Sequence, residues 1–188
     1  MGLHRHFIYL MTLLLSLGQI PSALAAPLSP SVQEQQQLTD ISIIRGIINY
    51  TRWPTPPHPL HICIVEENAN PETEIELVQR LSRALPSGWP ANIRLIQNVR
   101  EPLTDCHIIY INSLTAEARQ QLIKDVTEKP ILTIAQETDA CSAGIMFCLI
   151  GGEKIRFMAN LDAIARSPLR INPQVLRLSY RQTTDSRP

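Results

Sequence analysis

The sequence predicts one α/β domain: a mixed, mostly parallel sheet with helices on both faces, a C-terminal β-hairpin accompanied by short helices, and two disulfides as staples. Three observations carry this. Short β-branched runs alternate with amphipathic helical stretches through the middle of the chain, and near the end two apolar runs flank Gly151-Gly152. Four cysteines, Cys63, Cys106, Cys141 and Cys148, fall within the same region.

The first residues read as an address. His4, Arg5 and His6 give a basic start, Phe7 to Leu17 a mostly apolar run, and Pro21 a break before Ala23-Leu24-Ala25, the small residues that signal peptidase requires. Residues 1–25 are expected to be a signal peptide cleaved after Ala25, leaving 26–188 as a single domain outside the cytoplasm. A retained anchor would need roughly 18 to 20 consecutive apolar residues. This run is shorter and interrupted by Thr12, Ser16 and Gln19, and no cysteine near the cleavage point is available to take a lipid. No membrane insertion is expected after cleavage.

Ser31 to Arg52 is predicted as one long helix, with a Ser31/Glu34 capping box and Leu38, Ile41, Ile44 and Ile48 at helical spacing. Pro54, Pro56, Pro57 and Pro59 stop it near Trp53. Leu60 to Val65 reads as a buried strand, and Glu74 to Leu85 as a helix with Ile75, Leu77, Val78, Leu81 and Leu85 on one face. Asn92 to Gln97 follows as a strand in which Ile93 and Leu95 alternate with polar neighbours. The cycle repeats with strand His107 to Ile111, a helix capped by Thr115 and running to Val126, and strand Ile131 to Ala135. Ile145 to Ile150 and Lys154 to Met158 then form a hairpin around Gly151-Gly152. Asn160 is placed to cap a short helix from Leu161, and Asn172-Pro173 to start a last one through Val175, Leu176 and Leu178.

Seventeen basic and seventeen acidic side chains balance. No window combines a basic stripe with aromatics, so nucleic acid is not an expected partner. Gly151-Gly152 lacks the spacing and the Lys-Ser/Thr pair of a phosphate loop, and no Gly-x-Ser-x-Gly elbow presents a nucleophile. Glu66-Glu67 and Glu72, Glu74 and Glu76 sit at a loop and a helix start, where acidic groups complement the helix dipole. No catalytic residue, metal site or cofactor is assigned.

The competing chemistry is a metal site built from His61, Cys63, Cys106 and His107, since thiolates and imidazoles suit zinc or copper. Cys106 and His107 would point to opposite faces of a strand, however, and an oxidising compartment favours sulfur pairing with sulfur. Four cysteines allow three pairings. The expected ones join Cys63 to Cys106, if their strands are neighbours, and Cys141 to Cys148 across a short segment.

Particular strings then resemble the YfiR family in order and spacing. They are Tyr50-Thr51-Arg52-Trp53-Pro54, Leu60-His61-Ile62-Cys63-Ile64, Cys106-His107-Ile108-Ile109-Tyr110 and Ile131-Leu132-Thr133-Ile134. The closing block is the most specific: Cys141, Phe147-Cys148-Leu149-Ile150, Lys154-Ile155-Arg156-Phe157, Asn160-Leu161-Asp162-Ala163 and Arg170-Ile171-Asn172-Pro173-Gln174-Val175-Leu176. The likeness spans nearly the whole mature chain and is nearest the family's enterobacterial branch.

The resemblance implies a periplasmic, non-catalytic repressor. It would bind the periplasmic sensor region of the inner-membrane diguanylate cyclase YfiN, hold it inactive, and be captured by the outer-membrane lipoprotein YfiB. The resemblance also implies the pairs Cys63–Cys106 and Cys141–Cys148. Pro168 departs from the small, flexible residue usual between Ser167 and Leu169, which touches the geometry of the Arg166 to Arg170 loop.

Arg52, Trp53, Arg166 and Arg170 are the expected partner-binding residues, because Trp and Arg are over-represented among residues that carry binding energy. The plainer alternatives are a core position for Trp53 and a solvated face or helix-end contact for the arginines. Disulfide reduction as a release switch is a second expectation, with simple stapling as its alternative. A small-molecule sensor module is the alternative function, and a homodimer is kept among the expected assemblies.

Overall fold

The computed structural model describes residues 32–151 and 156–178, with side chains from Asp40 onward. The expected leader, Ser31 and Glu34 of the capping box, Leu38's side chain, Gly152 and Lys154 of the hairpin, and the chain after Leu178 lie outside what is described. Helices are α1 (Val32–Tyr50), α2 (Pro71–Ala84), α3 (Ala116–Val126), α4 (Asp139–Ala143) and α5 (Leu161–Arg166). Strands are β1 (Thr51–Arg52), β2 (Leu60–Glu66), β3 (Ala91–Ile96), β4 (Ile108–Ser113), β5 (Leu132–Ala135), β6 (Phe147–Ile150), β7 (Arg156–Ala159) and β8 (Arg170–Ile171). A 3-10 turn, Pro173–Arg177, follows β8.

Six strands form the main sheet in the order β3-β2-β4-β5-β6-β7. All neighbours are parallel except β6 and β7, which pair antiparallel as the C-terminal hairpin. The central strands β2, β4, β5 and β6 are mostly apolar because both their faces are covered, whereas the edge strands β3 and β7 alternate between covered and exposed residues. Ile62, Ile64, Ile108, Tyr110, Leu132, Ile134, Phe147 and Leu149 face one core with α1 and α2. Cys63, Val65, Ile109, Ile111, Ala135 and Cys148 face a second core with α3 and α4. Two-residue periodicity thus sorts each strand between two hydrophobic layers.

Local chemistry places the helix ends. Asn70 accepts the Thr73 N–H at 2.8 Å with Pro71 following it, so α2 begins three residues before the expected Glu74. Leu77 and Leu81 are buried, but Ile75 is 57% exposed, rotated off the face that meets the sheet. Thr115 and Asn160 cap α3 and α5 as their positions suggest. The expected helix to Arg52 instead ends at Tyr50, because Thr51 and Arg52 turn to pair with β8. Residues 139–143, not assigned by periodicity, form one short helix ended by Gly144. Its φ of 123° suits glycine, and an added Cβ would meet Ile123 Cγ2 at 3.2 Å.

Candidate functional site

The two-stranded β1–β8 sheet joins chain segments far apart in sequence. Thr51 opposes Ile171 and Arg52 opposes Arg170, and Asn172 N–H donates to Tyr50 O at 2.9 Å. Directly opposed residues of an antiparallel pair share a face, so Arg52 and Arg170, both exposed, stand on one face of this small sheet. Arg52 is steadied by donating to Asn49 O at 2.6 Å and Thr51 O at 2.9 Å, at the carbonyl end of α1. The arginines border a pocket of 390 Å³ lined also by Asn49, Tyr50, Ile171, Asn172 and Pro173. No carboxylate is among its described lining residues. Like charges opposed across strands repel, so the chemistry of this surface favours an anionic group that would neutralise them.

The other two expected partner residues lie elsewhere. Trp53 is 8% exposed and packs in the α1–α2 core, and its Nε1–H donates to His107 O at 3.3 Å. It fixes the strand that carries Arg52 from beneath. Arg166 ends α5, forms an exposed ion pair with Asp162, and lines a separate crevice of 70 Å³ with Ile123, Glu128 and Ser167. Pro168 is accommodated because Ser167, already the extended residue that ends α5, takes the backbone shape proline demands of its predecessor. Ser167 Oγ then accepts the Leu169 N–H at 3.1 Å.

Cys63 is bonded to Cys106 and Cys141 to Cys148, each with Cα atoms 5.8 Å apart. The first bridge ties β2 to the segment leading into β4, and the second ties α4 to β6. Both lie in the α3–α4 core. With Cys63 and Cys106 oxidised, neither thiolate of the alternative metal site exists. Among the described residues, no group of three or more His, Cys, Asp or Glu is arranged to hold a metal.

Sequence reasoning missed a polar cluster at the carboxyl ends of the strands, on the α1–α2 side. Asp40 and Arg80 are 7% and 8% exposed, and Tyr110 is fully buried. Arg80 lies over the Tyr110 ring, 5.7 Å from its centre, and donates to Asn112 Oδ1 at 3.4 Å. Gln136 Nε2 donates to Asp40 Oδ2 at 3.4 Å. Glu66, expected in a solvated loop, ends β2 instead, and its Oε2 is buried without a hydrogen-bond partner, as are Arg80 Nε and Tyr110 Oη. The legible signal was two-residue spacing: Glu66, Asn112 and Gln136 each follow Ile64, Tyr110 and Ile134 by two residues, although the β2–β4 register shifts between Val65 and Glu66.

Burial raises the Asp40 carboxyl above its ordinary 3.8, and Arg80 only partly opposes this. Above its folded pKa the charged carboxylate therefore costs stability, and that cost is relieved as pH falls through the folded value toward 3.8. Asp40→Asn is expected to stabilise the domain at neutral pH, because it removes the buried charge. Urea unfolding as a function of pH checks this: the variant's stability should be flatter across that acidic window, and a destabilised Asn variant would contradict it.

Fold and site together define a disulfide-stapled α/β module that carries a cationic, partly apolar pocket. The chain belongs to the YfiR/HmsC-like family, whose model matches residues 39–180, well over half of its length. This is a regulatory rather than catalytic family, connected with diguanylate cyclase signalling.

Proposed function

We propose that the protein is an exported, periplasmic and non-catalytic repressor that binds the periplasmic sensor region of a YfiN-like inner-membrane diguanylate cyclase. Binding lowers cyclic-di-GMP synthesis, and a YfiB-like outer-membrane lipoprotein relieves it by capturing the repressor. The observation that carries the contact surface is the Arg52–Arg170 pair around a pocket without a carboxylate. That chemistry suits an apolar side chain flanked by acidic groups on the partner. Repression requires tighter binding to the inactive cyclase than to the active one, since only differential affinity shifts a population.

Arg52→Ala combined with Arg170→Ala is expected to weaken cyclase binding about tenfold or more, with a shallower salt dependence, while the fold stays intact. Adding Arg166→Ala should change little further, because Arg166 borders a different crevice. Calorimetric titration of the cyclase's periplasmic domain reads both, and unchanged affinity in the triple variant removes this surface.

One observation favours a small-molecule sensor as a second reading. A concavity of 910 Å³ runs between α3 and residues 98–104, lined by Asn98, Thr104, Gln121 and Lys129 among others, and reaches the carboxyl ends of β2 and β4 at Glu67 and Thr115. The strand order reverses there, the position where open parallel sheets bind ligands. A metabolite that raises the melting temperature and is lost on Thr115→Trp would favour this reading.

A further inference from the structure

His61 and His107 are neighbours at the amino-terminal edge of β2 and β4, joined by two hydrogen bonds in opposite directions. His107 N–H donates to His61 O at 2.9 Å, and His61 N–H donates to His107 Nδ1 at 3.0 Å. The carbonyl of His107 also receives Leu132 N–H at 2.9 Å and Trp53 Nε1–H at 3.3 Å. The ring of His107 therefore holds the start of β2, while its carbonyl holds the start of β5 and the Trp53 indole.

A nitrogen that accepts a hydrogen bond must keep its lone pair, so the ring proton of neutral His107 sits on Nε2. Protonation would put a second proton on Nδ1, opposite the His61 N–H, setting donor against donor. We propose that His107 is a pH-sensitive latch: its neutral ring clamps the start of β2 through Nδ1, and its protonation releases that clamp. The claim rests on the domain's own geometry and not on the identity of any partner.

The groups facing His107 agree in direction. The His61 ring approaches edge-on from β2, 5.3 Å between centres, and disfavours a second positive charge. Burial acts the same way and more strongly, while Asp105, upstream on the same segment, opposes both. Trp53 is neutral, as is Asn92 of β3, which lies 3.4 Å from His61 Nε2. Arg94 of β3 reaches the adjacent Cys106 Sγ at 3.7 Å and adds positive charge nearby. The net result holds the ring below the ordinary 6.5. The latch's stabilisation is complete above 6.5 and is lost as pH falls through the folded value.

Amide and indole hydrogen exchange, followed by NMR on the mature chain carrying Trp89→Phe, tests this. Between about pH 7.5 and about pH 5, after correction for intrinsic chemistry, His61 N–H should open about three- to tenfold more often, the factor one hydrogen bond supplies, whereas Trp53 Nε1–H, held by the His107 carbonyl and not its ring, should not respond. His107→Asn places a non-titrating Oδ1 where Nδ1 accepts and should abolish the response. His61→Gln, which removes one neighbour opposing protonation, should move the response to higher pH. A response that survives in His107→Asn, or no response in the parent, overturns the proposal. The ¹⁵N shifts of the parent's imidazole give an answer independent of any variant: an Nδ1–H tautomer at neutral pH contradicts the latch.

Discussion

Trp53→Ala lowers the stability of the folded domain by about 3 to 5 kcal/mol, the cost typical of removing a large buried aromatic. The indole fills the core beside α1 and α2, and its N–H is satisfied by the His107 carbonyl. Removal leaves a cavity and breaks the hydrogen bond that ties the residue after β1 to the entry of β4. Trp53→Phe keeps most of the packing and loses the hydrogen bond, so its expected cost is smaller, about 1 to 2 kcal/mol. Urea denaturation followed by circular dichroism separates the two. A loss below about 1 kcal/mol for the alanine variant would show that Trp53 is not an anchor.

Loss of the Cys63–Cys106 bridge has the other large effect. Its sequence separation is 43, against 7 for Cys141–Cys148. The chain-entropy relation then gives about 4 kcal/mol for the first and about 2.5 kcal/mol for the second. Paired Cys→Ala variants should follow that order in urea midpoint; the reverse order would show that native packing, not loop closure, sets each bridge's contribution. The same variants address redox release, since the first bridge lies close to the His61–His107 junction and the anchoring of Trp53. A reduced, folded protein that still represses would leave the disulfides as staples only.

Much of the fold was legible because its strands are β-branched runs long enough to be buried on both faces, and its helices carry strong caps at Thr115 and Asn160. The hidden parts lack local signals. β1 and β8 are two residues each and exist only because they pair with one another, so helical periodicity ran on through Thr51 and Arg52. The start of α2 was missed because the apolar stripe begins after the Asn70-Pro71 cap. For the candidate site, composition could single out Arg52 and Arg170, but only the register of β1 on β8 makes them adjacent. The buried polar cluster escaped notice because Asp40 and Arg80 sit on helices among other charged residues, and burial rather than residue type distinguishes them.

The central claim is repression by binding, and the most direct measurement is titration of the purified, oxidised residues 26–188 into the isolated periplasmic domain of a YfiN-like diguanylate cyclase, with Arg52→Ala/Arg170→Ala alongside. The account predicts saturable binding by the parent and affinity about tenfold or more weaker in the variant. No binding by a folded, oxidised parent would contradict the repressor reading and turn attention to the concavity at the ends of β2 and β4.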